Sequence, residues 1–183
     1  FTAKADGTVV SVNKFGAEQL GYTANELIGC SLFDIFHTED RALVRERFTA
    51  CLQNMEQSIQ TEARKICKDG TILWVRESAR GVHDSHGQVV ILITCNDITQ
   101  RKQAEEAQRA SEEKANSLYQ LIRLMTDNLP DLVWAKDMNG RYLFANKASV
   151  EKLLIAKDTD EPIGQTDLYF ALRQRAAHPE NPN

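Results

Sequence analysis

The sequence predicts an α+β fold, in which a five-stranded antiparallel sheet carries short helices on one face and is followed by a long helix and a second, incomplete domain. Three observations predict this arrangement. Strand-like runs occur in the order two strands, several short helices and three strands. Residues 100–117 contain no glycine, no proline and no large apolar side chain, which is typical of a solvated helix. Beyond that stretch, the pattern that opens the chain returns.

The overall composition indicates a folded protein and excludes several classes. Of 183 residues, 42% are hydrophobic, and the net charge of -4 argues against a nucleic-acid partner. No apolar run approaches the ~20 residues that span a bilayer, so no membrane segment is expected. The start at Phe1, without a leader-like apolar stretch, suggests a piece of a longer protein. The four cysteines form no Cys-x-x-Cys pair, and we expect them to be free thiols of a reducing, cytoplasmic environment.

The first hundred residues begin with a hairpin and short helices. Asp6-Gly7 is a turn signal ahead of the strand 8–12, and Asn13 is suited to cap a helix over 14–20. Thr23 and Glu26 have the spacing of a capping box, and Gly29 stands where that helix must stop.

A longer helix and a three-strand meander follow. The helix begins near residues 38–40, where the acids complement the helix dipole. Its predicted buried stripe consists of Val44, Phe48, Cys51, Leu52 and Met55. Strands are expected over 59–68, 71–82 and 88–94. The last is apolar on both faces, which predicts a central strand.

Residues 101–128 are expected to form a connecting helix. Arg101, Glu105, Arg109 and Glu113 alternate in charge at four-residue spacing. An apolar seam strengthens toward the C-terminal end of this helix, and it consists of Ala115, Leu118, Ile122 and Met125. A solvated single helix and a parallel dimer stalk both fit this pattern. We favour a homodimer, because a long helix with so little to bury on its own chain needs a partner.

The chain contains a repeat of a whole domain. Residues 139–147 align with 6–14, and residues 162–164 align with 27–29. The predicted divisions are therefore a domain over 1–100, a helix over 101–128, and the N-terminal part of a second domain over 129–183. The second copy lacks the long helix and the meander, so we expect it to be unable to bury its sheet face alone.

These motifs resemble the PAS family. Gly21-Tyr22-Thr23 with Glu26-Leu27-Ile28-Gly29 resembles the front half of a PAS domain, and Lys68-Asp69-Gly70-Thr71 resembles its strand turn. Asn96-Asp97-Ile98-Thr99 followed by Arg101-Lys102 is similar to the exit (PAC) motif that leads into a signalling helix. Residues 129–137 and 164–167 resemble the start of a second PAS domain.

The resemblance implies a tandem PAS region of a bacterial multi-domain signalling protein. Such modules bind a small molecule, or dimerise, and pass a change to a C-terminal effector, usually a histidine kinase or a cyclic-dinucleotide enzyme. The alternative is a dimerisation and relay module that holds no ligand. These residues contain no nucleophile–base pair, so we expect no catalysis in this piece.

The residues argue against the family's best-known cofactors. Photoactive flavin members have an Asn-Cys-Arg-Phe-Leu-Gln run, whereas this chain has Gly29-Cys30-Ser31-Leu32-Phe33. Haem members place a histidine on the long helix, and residues 40–55 contain none. His83-Asp84-Ser85-His86 reads as a hairpin turn rather than a metal site. The identity of any other ligand stays open.

The expected ligand site lies between the inner face of the sheet and the short helices. Its candidate lining residues are Phe33, Phe36, Phe48, Trp74 and Cys95, for each of which ordinary core packing is the alternative. The expected relay residues are Asp97, Ile98 and Thr99, where the last strand becomes the helix. Thr99 is suited to cap a helix that starts at Gln100.

Overall fold

The structure is a computed structural model that describes residues 1–177. Its contacts divide the chain into two compact units, the first spanning Phe1–Gln108 and the second beginning at Arg109.

The first unit contains the predicted five-stranded antiparallel sheet. The strands lie in the order β2-β1-β5-β4-β3, which confirms the α+β arrangement and the central place of the last strand. Strand β5 runs three residues further than predicted and pairs with β4 down to Asp97. The strand bounds are β1 Thr2–Lys4, β2 Val9–Ser11, β3 Ile59–Ile66, β4 Ile72–His83 and β5 Val89–Asp97.

Three α-helices and a 3₁₀ turn of the first unit lie between β2 and β3. They are α1 Lys14–Gln19, α2 Ala24–Leu27, a 3₁₀ turn at Leu32–Ile35, and α3 Arg41–Gln53. Two of the caps predicted from sequence are confirmed. Asn13 Oδ1 accepts the Gly16 amide at 2.9 Å, and Thr23 and Glu26 form the capping box.

The acid at the start of α3 takes part in tertiary packing. Asp40 precedes the helix, but its side chain bonds no helix amide. It accepts instead from the backbone and guanidinium of Arg64 on β3, at 2.6–3.0 Å. An Arg–carboxylate pair with several parallel bonds is stronger than one cap bond, so the acid serves tertiary packing. Of the predicted stripe, Val44, Phe48 and Cys51 are buried, whereas Leu52 is half-buried and Met55 lies beyond the helix end.

The hairpin turn of the first unit shows why one glycine is required. Gly7 has φ of +88°, and a Cβ at this position would lie 2.3 Å from the Phe33 ring. The turn therefore needs both the conformational freedom of glycine and its lack of a side chain.

Helix α4, Thr99–Asp127, follows β5, and its residues from Arg109 onward belong to the second unit. The second unit continues with β6 Trp134–Lys136, β7 Tyr142–Ala145, α5 Lys147–Ser149, a π-helical turn at Val150–Leu154, and α6 Asp167–Ala177. Its small core contains Tyr142, Ala145, Val150, Leu154 and Phe170. Trp134 and Leu143 on the two-stranded sheet stay exposed.

A buried asparagine organises the start of the second unit. The Asn146 amide donates to the carbonyls of Thr126 and Asp131, both at 2.9 Å. Its Oδ1 accepts from the backbone of Val133 and from Ser149. Asn146 is fully buried with its polar groups satisfied, so it holds the end of α4, the following loop and α5 in one arrangement.

Candidate functional site

A buried ion pair lies on the inner face of the first sheet. Lys65 on β3 is 0% exposed and Glu77 on β4 is 5% exposed. Lys65 Nζ lies 2.6 Å from Glu77 Oε1 and 3.6 Å from the sulfur of Cys95 on β5. The rings of Phe1 and Phe36 lie 4.6 and 5.1 Å from Nζ. The three strands therefore meet at one charged group surrounded by aromatic rings and sulfur.

Strand alternation places these side chains inward. Ala63 and Lys65 are two residues apart on β3, and Val75 and Glu77 are two apart on β4, so each charged residue shares the face of a buried apolar one. The register puts Glu77 opposite Cys95. Sequence reasoning missed the pair because charged residues are normally taken as exposed. The available signal was the two-residue alternation of strands, which places Lys65 on the same face as Ala63 and Glu77 on the same face as Val75.

The protonation states of Lys65 and Cys95 depend on burial and on the charged groups beside them. Burial by itself lowers the pKa of the Lys65 ammonium, but the adjacent Glu77 and Cys95 outweigh it, so the net pKa is raised and Lys65 stays protonated. Burial raises the pKa of the Cys95 thiol, although Lys65 opposes this. Cys95 is therefore a thiol at neutral pH, which does not suit it to act as a nucleophile.

A cavity of about 400 Å³ adjoins this pair. It lies beside α1 and β5, and its walls include Phe15, Leu20, Lys65, Leu73 and Cys95. Lys65 forms part of the wall, yet its side chain has no solvent-exposed surface. The volume lies within the range of small-molecule sites.

The predicted lining residues are distributed over different places. Cys95 lines the cavity. Phe33, Phe36 and Phe48 are buried in the core, where the Phe33 and Phe48 rings pack edge-to-face at 5.3 Å. Phe48 also lines a space of about 20 Å³ beside Glu77, which has room for about one water molecule. Of these four predicted lining residues, only Cys95 lies at the cavity, and the three phenylalanines fill the core.

Trp74 lies beside the start of α4 and does not line the cavity. Lys102 Nζ and the Arg64 guanidinium lie over its ring at 5.2 and 5.6 Å. Its backbone amide donates to Thr99 Oγ1 at 3.0 Å, and its carbonyl accepts the Ile98 amide at 2.9 Å.

The junction between β5 and α4 corrects the predicted cap. The helix begins at Thr99, one residue earlier than expected, and Asp97 Oδ1 accepts the Thr99 amide at 2.8 Å. Thr99 lies within the first turn, so its hydroxyl is free to bond the Trp74 backbone instead of capping. Asp97 supplies the local bond typical of a residue two positions before the amide. The three predicted relay residues thus join β5, β4 and α4 at one point.

The predicted seam of α4 is exposed in the single chain. Leu118, Ile122 and Met125 are 58%, 43% and 64% exposed, and Ala115 is exposed as well. Leu121 and Leu124 on the same helix are also exposed. A run of exposed apolar side chains on one helix is typical of a protein-interaction surface.

Within residues 1–177, no three His, Cys, Asp or Glu side chains are grouped so that they could hold a metal ion. Asp84 at the His83–His86 turn accepts from the amides of Gln88 and His86, and these bonds lower the pKa of its carboxyl. No helix in the described part of the chain has the length and apolarity to cross a bilayer.

Comparison with protein families gives two matches. A model described as a PAS fold matches residues 9–96, and a model described as a PAS domain matches residues 120–178. Together they cover most of the chain.

Curated relatives include sensors. The chain is 31% identical over 133 residues, 72% of its length, to a methyl sulfide methyltransferase-associated sensor of Methanosarcina acetivorans. It is 30% identical over 107 residues, 58% of its length, to sporulation kinase C of Bacillus subtilis. The chain spans only 13% and 24% of these two proteins. A sensory box histidine kinase/response regulator from Burkholderia thailandensis aligns over 58% of this chain and 81% of that one, at 24% identity and a TM-score of 0.48.

Proposed function

The chain belongs to the PAS family, and we propose that it is a sensory module of a larger bacterial signal-transduction protein, which relays a change through α4 to a C-terminal effector. The proposed parts are a PAS domain over 1–100, a connecting helix over 101–128 and the start of a second PAS domain over 129–183. A sensor and a kinase among the relatives support a kinase as effector. Our first candidate is a histidine kinase, and a cyclic-dinucleotide enzyme is the other candidate. The module itself acts without catalysis.

The observation that carries the proposal is the junction of β5 with α4. Asp97 bonds the first helical amide, Thr99 and Ile98 bond the backbone of Trp74, and the sheet continues directly into a 29-residue helix. A shift of β5 against β4 must therefore change these bonds and with them the direction or rotation of the helix.

The input in this proposal is a small molecule in the cavity beside Cys95. The cavity adjoins the only ion pair of the described residues in which both side chains are less than a tenth exposed. It lies against β5, the strand that leads to the relay residues. We place the module in the cytoplasm, because its four cysteines are free thiols.

A second candidate function is a ligand-free dimerisation and relay module. The exposed seam of α4 favours it, since burying Leu118, Ile122 and Met125 against a second copy removes apolar surface from water. In this case Phe33, Phe36 and Phe48 fill the core and the signal enters through the dimer.

One experiment separates the two candidates. The chain is purified under native conditions, and its absorbance spectrum and native mass are compared with those of the denatured protein. A bound metabolite that is released on denaturation, and lost when Cys95 is replaced by the bulky Phe, supports ligand sensing. An empty protein that also binds nothing from a small-molecule library, yet forms dimers through α4, supports the second candidate.

A further inference from the structure

The carboxylate of Glu62 gathers three cations on the outer face of the sheet. Oε1 accepts from Arg76 Nη2 at 2.9 Å and from Arg101 Nη2 at 2.7 Å. Oε2 lies 2.8 Å from Lys102 Nζ. Arg76 belongs to β4, whereas Arg101 and Lys102 belong to the first turn of α4. One side chain of β3 therefore connects two strands with the exit helix.

These bonds form an organised cluster rather than scattered surface pairs. Glu62 and Arg76 are directly opposite in the strand register, so the backbone fixes their distance. Lys102 also lies over the Trp74 ring, which limits its freedom. Hydrogen bonds from Lys102 and then Arg76 lower the pKa of Glu62 to about 2. The carboxylate thus stays ionised over the whole physiological range.

The cluster shares its two strands with the buried ion pair. Lys65 follows Glu62 by three residues on β3, and Glu77 is the neighbour of Arg76 on β4. Consecutive strand residues face opposite sides of a sheet, so a sliding of β3 against β4 changes the inner and outer pairs together. The two strands are thereby a mechanical connection between the cavity side and the helix side.

We propose that Glu62 is an ionic latch that positions the first two turns of α4 against the sheet, and that opening this latch is the step by which a movement of β3 reaches the helix. The second half of this proposal, that opening the latch passes a movement of β3 to the helix, rests on the proposed relay function. Its first half, that Glu62 holds the helix, stands on the geometry alone. Glu62 is a positioning residue in this scheme and contacts no ligand.

The test measures hydrogen–deuterium exchange of the whole chain with Glu62→Gln. The matched control is Glu26→Gln, because Glu26 is likewise a surface carboxylate with a cation close by, 2.6 Å from Lys68, and a pKa lowered to about 2, but its ion pair joins it to the segment that follows β3 and not to α4. An ion pair at the surface contributes little free energy. Losing the two pairs that Glu62 makes with Arg101 and Lys102 corresponds to an increase of about 2- to 30-fold in the local opening of the helix. We expect this increase in the amides of residues 102–108 for Glu62→Gln and less than a twofold change there for Glu26→Gln.

A double-mutant cycle makes the assignment specific. Arg101→Gln with Lys102→Gln should raise exchange in the same segment, and adding Glu62→Gln to that variant should raise it no further. Equal exchange in wild type and Glu62→Gln, or fully additive effects in the cycle, would overturn the latch. If exchange behaves as expected but effector output of the parent protein is unchanged by Glu62→Gln, the latch stands and its role in relay is refuted.

Discussion

Replacing Lys65 by Met should strongly destabilise the first unit. The substitution keeps a similar length of side chain, but it leaves the Glu77 carboxylate in a place where it is 5% exposed and has lost its ammonium partner at 2.6 Å. Removing one partner of a buried pair costs about 3–5 kcal/mol, because an uncompensated charge remains. The companion variant Lys65→Met with Glu77→Leu removes both charges and should lie within about 1–2 kcal/mol of wild type, or above it.

The assay is urea unfolding followed by tryptophan fluorescence. The chain has two tryptophans, Trp74 in the first unit and Trp134 in the second, so a Trp134→Phe background reports on the first unit alone. Circular dichroism under native conditions checks that each variant is folded before the transition.

Two results would refute this reasoning. A loss below about 1 kcal/mol for Lys65→Met would mean that the pair is solvated and not buried. A double variant as unstable as the single one would mean that packing around Lys65, rather than charge, accounts for the loss.

Three further predictions concern other parts of the chain. The folded pKa of Glu62, about 2, lies below the ordinary 4.5, so the stability that it contributes should be complete above about pH 4.5 and decline as pH falls toward 2, where protonation of the carboxylate breaks its bonds to α4; the tryptophan of the first unit should report this loss near pH 2 in the Trp134→Phe background and not when Glu62→Gln is added. Gly7→Ala should be about 1–3 kcal/mol more destabilising than Gly70→Ala in urea unfolding, because both residues have positive φ but only Gly7 faces the Phe33 ring; equal losses would contradict this. Ile122→Glu should shift a dimer toward monomer in analytical ultracentrifugation, whereas an unchanged sedimentation coefficient would argue against the seam.

Local signals predicted much of the fold. Asn13 and the Thr23–Glu26 box act through bonds within four residues, so their roles can be read from spacing alone. The apolar run that became β5 predicted its central place because both faces of a central strand are covered.

The site depended on partners distant in sequence. Lys65, Glu77 and Cys95 come together only through the strand register, and a lysine in a charged stretch is normally taken as exposed. Thr99 was expected to cap its own helix, yet its hydroxyl bonds the backbone of Trp74, 25 residues away. The sequence neighbours of Lys65 do not indicate Glu77 as its partner, and those of Thr99 do not indicate Trp74.

The central claim is that the junction at Asp97 and Thr99 transmits the signal, and it is tested most directly by effector output. In the signalling protein that we propose contains this chain, Asp97→Ala with Thr99→Ala removes the bond to the first helical amide and the bond that the Trp74 amide donates to the Thr99 hydroxyl. Output should then no longer respond to the input, while circular dichroism of the chain and its urea midpoint stay close to wild type. A response of normal size in a folded double variant would contradict the account.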